Sequence, residues 1–174
     1  MSATAQGIVD ILVWGVIATL AMNAIMFSSQ SFGWSRLNLP LLLGTFFTDD
    51  RKSANTLGFF LYFIVGWLIA FFYYLFFDLV GHPAWWTGAI VGLLHGGLVL
   101  AALLPMLPYI HPRVASEYDG PGLLKRLEPP GFLALHYGRG TPLFTLLAHV
   151  AYGTLLGIGS VSYTHLTLPT ILRV

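Results

Sequence analysis

The stretch that decides the fold of this chain is Ser53–Phe77, SANTLGFFLYFIVGWLIAFFYYLFF, which contains no Lys, Arg, Asp or Glu. A helix needs about 20 predominantly apolar residues to cross the hydrocarbon core of a bilayer, which is about 30 Å thick. Three further stretches share this length and lack of charge: Ile11–Ser35, Leu79–Pro112 and Thr141–Ser160. The pattern predicts four membrane-spanning helices.

The composition also indicates a membrane protein. Of the 174 residues, 56% are hydrophobic and 9% are charged, whereas soluble domains contain about 25% charged residues. The chain has no Cys, which excludes a disulfide framework and a Cys-ligated metal centre within it. Its formal net charge of +1 gives no electrostatic basis for binding nucleic acid. We therefore expect an all-α polytopic bundle whose main partner is the lipid bilayer.

The predicted helices leave one apolar segment between the first two spans. The four spans are expected at about 8–27, 54–77, 84–107 and 141–160. Leu37–Thr48, LNLPLLLGTFFT, is too short to span a bilayer and is interrupted by Pro40 and Gly44, so it predicts a short interfacial or re-entrant segment. In the third span, Pro105 and Pro108 should bend or end the helix.

The end of the chain contains Val161–Thr170, VSYTHLTLPT, which resembles the in-frame translation of a sequencing adaptor. A match of this length favours an artefact over a natural polar tail, and such segments are excluded from fold reasoning. We therefore expect a single transmembrane domain over 1–160, followed by an adaptor-derived segment over 161–174. The natural protein would then continue beyond Ser160 with another sequence.

Apart from Arg173 in the adaptor-like segment, the Lys and Arg residues are confined to two loops. The first loop contains Arg36, Arg51 and Lys52, and the second contains Arg113, Lys125, Arg126 and Arg139. The N-terminus and the turn at 78–83 contain no Lys or Arg. Because cytoplasmic loops are enriched in Lys and Arg, we expect loops 28–53 and 111–140 in the cytoplasm and the N-terminus outside. The predicted location is the inner membrane of a cell.

Small residues recur at four-residue spacing and predict close helix packing. They are Gly88, Gly92 and Gly96 on the third helix, Gly153 and Gly157 on the fourth, and Gly15 on the first. Such stripes let helix backbones approach each other in a membrane. We favour packing within one chain, and the alternative is a homo-oligomer or a contact with another membrane protein.

Four polar side chains are predicted at membrane depth: Asn23, His95, His149 and Tyr152. Ionisable groups are costly there and often functional. At about 1.5 Å per helical residue, His95 and His149 differ in depth by only about 5 Å, so they could face each other and hold a haem or share a proton. We favour two neutral rings hydrogen-bonded to neighbouring helices, and we expect no bound cofactor.

The long loop His111–Gly140 contains several potential metal ligands without a compact metal-binding spacing. We expect a solvated loop, with contacts between its basic side chains and anionic headgroups as the alternative. The sequence contains no nucleophile with its base, phosphate-binding loop or dinucleotide fingerprint. It therefore predicts no catalytic residue, no metal site and no enzyme.

Two segments carry a family resemblance. Gly15–Phe27, GVIATLAMNAIMF, followed by LNLPLLLG, resembles the start of an uncharacterised family of small four-helix bacterial integral membrane proteins. Pro142–Gly157, PLFTLLAHVAYGTLLG, is similar to the last helix of that family, with its His-x-x-aromatic-Gly motif. The resemblance implies only the fold and the membrane location. On its basis, the positions to mutate first are Asn23, His149, Tyr152 and Gly153.

These observations lead to three hypotheses about function. The first is a non-enzymatic integral membrane protein that acts through helix packing with itself or with another membrane component. The second is a carrier or channel for a small solute, lined by Asn23, His95 and His149. The third is a haem- or quinone-binding subunit that uses the same two histidines.

Overall fold

The structure, a computed structural model, describes the backbone of residues 3–116 and 126–167 and the side chains of 7–116 and 126–161. It is all-helical over the part of the chain that it describes, with 79% helix and no strands. The predicted adaptor segment lies partly outside the described residues, because the description ends at Thr167. Its origin stays a prediction.

Six α-helices and two short helical segments follow one another along the chain. They are α1 (Ala3–Ser31), α2 (Leu39–Thr45), α3 (Arg51–Val80), α4 (Trp85–Leu98), a π-helix (Val99–Leu103), α5 (Leu104–Ile110), a 3-10 helix (Phe132–Tyr137) and α6 (Thr141–Thr167). Four stretches are long and apolar enough to cross a membrane: Gly7–Ser31, Arg51–Val80, Trp85–Ile110 and Thr141–Val161. The prediction of an all-α fold with four such helices is confirmed, and the chain has the architecture of a multi-pass membrane protein.

The ends of α3 follow from its capping residues. At its start, the carboxylate of Asp50 accepts a hydrogen bond from the backbone N–H of Ser53 at 2.8 Å, which satisfies a donor that has no partner within the helix. At its end, Gly81 adopts a left-handed conformation with φ of 69°, which favours Gly because it has no Cβ. The charged residues before α3 and the turn after it therefore set the length of this span.

The third span continues through both prolines instead of ending at them. Pro105 lacks a backbone N–H, and its ring would collide with the carbonyl of Ala101 in a regular α-helix. The chain forms a π-helix over Val99–Leu103 directly before it, and the N–H of Leu104 bonds to the carbonyl of Val99. The wider turn admits Pro105, and α5 then runs through Pro108 to Ile110.

The most extensive helix contact joins α4 to α6. Gly88 lies against the backbone of Gly153, and Gly92 lies against the backbone of His149. A Cβ atom added at either glycine would collide with a carbonyl group of α6. The glycines predicted from their spacing thus lie at an interface within this chain, where the two backbones touch. Gly96 and Gly157 extend the same contact.

Other glycines join α3 to its neighbours. Gly15 of α1 lies against the Trp67 ring, where a Cβ would come within 2.8 Å of Cδ1. The short helix α2 packs on α3 through Gly44 and Gly58, each of which faces a backbone carbonyl of the other helix. The sequence pattern marks Gly44 only as an interruption and does not identify Gly58. The segment Leu37–Thr48 contains α2, a short helix packed against α3.

The two long loops meet at one end of the bundle. The Arg36 guanidinium lies 3.1 Å from the Glu128 carboxylate, and the hydroxyls of Ser35 and Thr141 are 2.9 Å apart. Residues 28–38 and 126–141 are therefore on the same side of the spans. The turn at 78–83 lies at the other end, because the whole length of α3 separates it from this side.

The prediction that His111–Gly140 is a solvated loop is wrong for much of its described part. His111 is 4% exposed, and its Nε2 lies 3.0 Å from the Leu42 carbonyl oxygen. The Arg113 guanidinium donates to the carbonyls of Thr45 and Phe46 at 2.6 and 3.0 Å. These carbonyls lie at the C-terminal end of α2, where a cation is favourable. The loop therefore holds α2 in place.

The surface of the spans is apolar. Only 17% of the most apolar window of α3 is buried within the chain, and Phe60, Leu68 and Phe72 are among its exposed side chains. Contiguous apolar surface of this kind is rare on monomeric soluble proteins, whereas acyl chains solvate it readily. The surface and the length of the helices therefore agree with a bilayer as the surrounding medium.

Candidate intramembrane binding cavity

A cavity of about 190 Å³ lies inside the bundle, between α1, α2, α3, α6 and the α4–π-helix segment. Its polar lining consists of Thr19, Tyr62, His95, His149 and Tyr152. The remaining lining residues are apolar or Gly, and no charged residue is among them. At 1.5 Å per residue, Gly66 lies near the middle of α3. The cavity is therefore a mainly apolar space at about mid-membrane depth, with a few polar groups contributed by α1, α3, α4 and α6.

The structure brings His95 and His149 together. Their ring centroids are 4.8 Å apart, and the ring planes are nearly perpendicular. His149 is 2% exposed, and its Nδ1 donates to the Thr145 carbonyl at 2.7 Å. His95 is half-buried and contacts the Tyr73 hydroxyl through Nδ1 at 3.2 Å. Each ring therefore has one nitrogen bonded to a helix and its Nε2 without a hydrogen bond to the described residues.

Tyr152 links α6 to α3 at the depth of this pair. Its hydroxyl donates to the Gly66 carbonyl at 2.6 Å, and its ring lies edge-on to Tyr73 with centroids 5.6 Å apart. Thr19 of α1 packs against Gly66, where a Cβ atom would collide with its hydroxyl. The absence of a side chain at Gly66 thus lets three helices meet there. Tyr152 acts as a structural contact in one wall of the cavity.

Asn23, the fourth predicted polar residue, does not belong to this site. It is half-buried on α1 and is not among the residues that line the cavity. The lining residues of α1 are Thr19 and Met22, and Asn23 is rotated about 100° from Met22 around the helix axis. The prediction that Asn23 shares a polar lining with the two histidines is therefore wrong.

The His pair does not have the geometry of a haem site. Two axial histidines must lie on opposite faces of the porphyrin plane, with the iron between their nitrogens. The rings of His95 and His149 are in edge-to-face contact at 4.8 Å, which leaves no space for a macrocycle between them. Among the described residues, no group of three or more His, Cys, Asp or Glu side chains could hold a metal ion.

The cavity opens towards the side of the bundle. Val65 on α3 is 41% exposed and Leu103 on the π-helix is 49% exposed, yet both line the cavity. They therefore mark an opening between α3 and the π-helix, on the surface that acyl chains would cover. The helix contacts agree, because α3 and α4 do not form one of the extensive packing pairs within the described chain. Neither Val65 nor Leu103 is predicted from the sequence, although the nearby Pro105 predicts an irregular helix.

Helix α2 forms another wall through Leu39 and Leu43, and His111 holds this helix from the loop side. The Arg113 backbone N–H donates to His111 Nδ1 at 3.1 Å, so Nε2 carries the proton of the neutral ring and donates to Leu42. Burial lowers the pKa of His111; the hydrogen bond to Leu42 raises it, and the nearby Arg113 guanidinium lowers it further. The net shift is downwards, which favours the neutral form that this contact requires.

The nearby loop also fixes Tyr137 in the fold. Its hydroxyl donates to the Glu128 carbonyl at 2.6 Å. Burial raises its pKa to about 12, the negative charge of Glu128 adds to the increase, and Arg36 opposes it. Tyr137 therefore stays protonated as a hydrogen-bond donor at physiological pH.

Comparison of the chain with protein-family models, curated proteins and solved structures gave no match. The resemblance of Gly15–Phe27 and Pro142–Gly157 to a family of small membrane proteins stays a prediction.

Proposed function

We propose that this protein binds a small, mainly apolar solute in the cavity between its helices, as a non-enzymatic integral membrane protein. The observation that carries this proposal is an apolar cavity of about 190 Å³ with the buried His149 in its wall. Ligand sites are typically concave and mostly apolar, with a few placed polar groups that fix orientation. This is the solute-binding hypothesis of the sequence analysis with Asn23 removed from the site.

The alternative of action through helix packing has less support. The stripe of Gly88, Gly92 and Gly96 is already covered by α6, so it is not free to join a second copy or another membrane protein. The haem hypothesis is also weaker, because the spacing of His95 and His149 does not suit a porphyrin. Solute binding accounts for the cavity between the helices, which neither alternative explains.

We further propose that the protein lies in the inner membrane of a cell with its N-terminus outside and with loops 28–53 and 111–140 in the cytoplasm. The basic side chains of these loops support this orientation, and the contact between Arg36 and Glu128 supports a shared side for both loops. Reporter fusions at Leu127 and Gly81 test it. We expect a cytoplasmic signal at Leu127 and an external signal at Gly81, and the reverse would overturn the orientation.

The solute-binding proposal can be tested by filling the cavity. Val99 is buried and lines it, so Val99→Phe should remove most of the space for a solute. Leu98→Phe is the matched control, because Leu98 is exposed on the outer surface of the same helix segment. Purified protein in nanodiscs would be screened by equilibrium binding against fluorobenzene, toluene and other small apolar solutes.

We expect saturable binding to the wild type and to Leu98→Phe, and at least tenfold weaker binding to a folded Val99→Phe variant. Equal binding by both variants would place the solute elsewhere. No saturable binding of any solute to the wild type would contradict the proposed function.

A further inference from the structure

One atom in the wall of the cavity has an unmatched hydrogen-bonding capacity. His149 is 2% exposed, and only its Nδ1 has a hydrogen-bond partner within the described part of the chain. Its Nε2 is not among the fully buried atoms that lack a partner, and His149 lines the cavity. The geometry is therefore that of a buried polar group whose free nitrogen borders the empty space.

The hydrogen bond to Thr145 determines what this nitrogen can do. A carbonyl oxygen only accepts hydrogen bonds, so the proton of the neutral ring must be on Nδ1. Nε2 then carries a lone pair and can only accept. No acidic side chain lines the cavity, and burying an unpaired charge is costly, so this apolar site favours the neutral ring. A molecule that matches Nε2 must bring an O–H or N–H donor.

The rest of the cavity determines the body of that molecule. Its walls include the apolar side chains of Met22, Ile69 and Leu104, and they contain no ion partner. An apolar cavity of about 150 Å³ holds benzene, so about 190 Å³ suits one small ring with a short substituent. Entry past Val65 and Leu103 leads from the acyl-chain region, which selects molecules that partition into the bilayer.

We propose that the solute is a small lipophilic ring compound with one hydrogen-bond donor, of the phenol class, and that it donates this bond to Nε2 of His149. This inference depends on the proposed function and adds the ligand chemistry to it. A quinone ring would have a suitable size, but its carbonyls only accept, so it would leave Nε2 unmatched. An inorganic ion would find no charged partner in the wall.

The test compares phenol with fluorobenzene, which has nearly the same shape and no donor. Binding of both would be measured for the wild type, for His149→Leu and for the control His82→Leu, in which an exposed histidine of the turn is changed. The quantity of interest is the ratio of the two affinities, because differences in partitioning between water and lipid cancel between variants. Removing the acceptor should lower the preference for phenol by about fivefold, since a neutral hydrogen bond contributes about 1 kcal/mol.

An unchanged ratio in His149→Leu, with both compounds still bound, would overturn the inference and leave the proposed function intact. If neither phenol nor fluorobenzene bound to the wild type, the proposed function itself would be contradicted. If His149→Leu does not fold, ¹⁵N spectra of histidine-labelled wild type decide the question. Phenol should shift the Nε2 resonance of one histidine and fluorobenzene should not, whereas phenol binding without such a shift would overturn the inference.

Discussion

Helix α4 has two sides that solve the same packing problem differently. Towards α6, Gly88 and Gly92 let the two backbones touch. Towards α3, Nδ1 of His95 lies 3.2 Å from the Tyr73 hydroxyl, and the cavity that His95 lines lies on this side. In a membrane, lipid tails provide little hydrophobic drive for helix association, so residue size largely sets how closely helices pack. The comparison shows that one helix can provide both a scaffold and a site.

The close contact between α4 and α6 also explains where His149 lies in the cavity. The Cβ of His149 lies at this contact, against Gly96, and the side chain lines the cavity. The hydrogen bond from Nδ1 to the Thr145 carbonyl orients the ring. The contact between α4 and α6 therefore helps to position His149 in the wall of the cavity.

The largest expected change in stability comes from Gly92→Ala, which disrupts the backbone contact between α4 and α6. The added Cβ would collide with the His149 carbonyl, and such overpacking costs about 3 kcal/mol when the backbone cannot move freely. Unfolding in mixed micelles, followed by circular dichroism, measures the change. Gly97→Ala is the matched control on the same helix, because nothing lies within 4 Å of its Cβ position.

The control should stabilise the protein by up to about 1 kcal/mol, since Ala favours a helix over Gly. Equal stability of Gly92→Ala and Gly97→Ala would show that α4 and α6 are not in backbone contact.

A smaller loss of stability is expected when α2 loses its hydrogen bonds to the loop that follows α5. Arg113→Ala removes two hydrogen bonds from a charged donor to the carbonyls of Thr45 and Phe46. Both bonds come from one half-buried guanidinium and together contribute about 2 kcal/mol, and the same unfolding measurement reports the loss. Arg126→Ala, at an exposed position of the same loop, should change stability little. Similar losses in both variants would indicate a general effect of loop charge.

The smallest effect concerns pH and the contact between His111 and Leu42. Because the pKa of His111 is lowered in the folded protein, the unfolded chain binds a proton more readily, and stability falls as pH decreases below about 6.5. We expect thermal unfolding to shift downwards between about pH 7.5 and about pH 5.5, on either side of that value. His111→Gln should show a smaller shift than the wild type. Equal shifts would mean that His111 does not contribute to the pH dependence.

The sequence predicted the spans well because their signal is local. The charge-free stretch Ser53–Phe77 lies within α3, and Thr141 begins α6 as expected. Spacing alone also identified Gly88 and Gly153 as packing residues. These features depend only on hydrophobicity and helical period, which a single sequence contains.

The site could be predicted only in part, because it depends on how the helices are rotated against one another. Similar depths in the membrane indicate that His95 and His149 could meet, but nothing local distinguishes the inward-facing Thr19 and Met22 from Asn23. The role of His111 was missed for a similar reason, since its partner Leu42 is distant in sequence. A pattern that defines faces within one helix leaves the pairing of those faces undetermined.

The most direct test of the central claim is the accessibility of the cavity opening to paramagnetic reagents. The chain contains no Cys, so Val65→Cys and Leu103→Cys each provide a unique site for a nitroxide label in lipid bilayers. We predict frequent collisions with oxygen, which concentrates among acyl chains, and few collisions with a water-soluble nickel chelate at both positions. Frequent collisions with the nickel chelate would show an opening to water and would contradict a cavity that is filled from the bilayer.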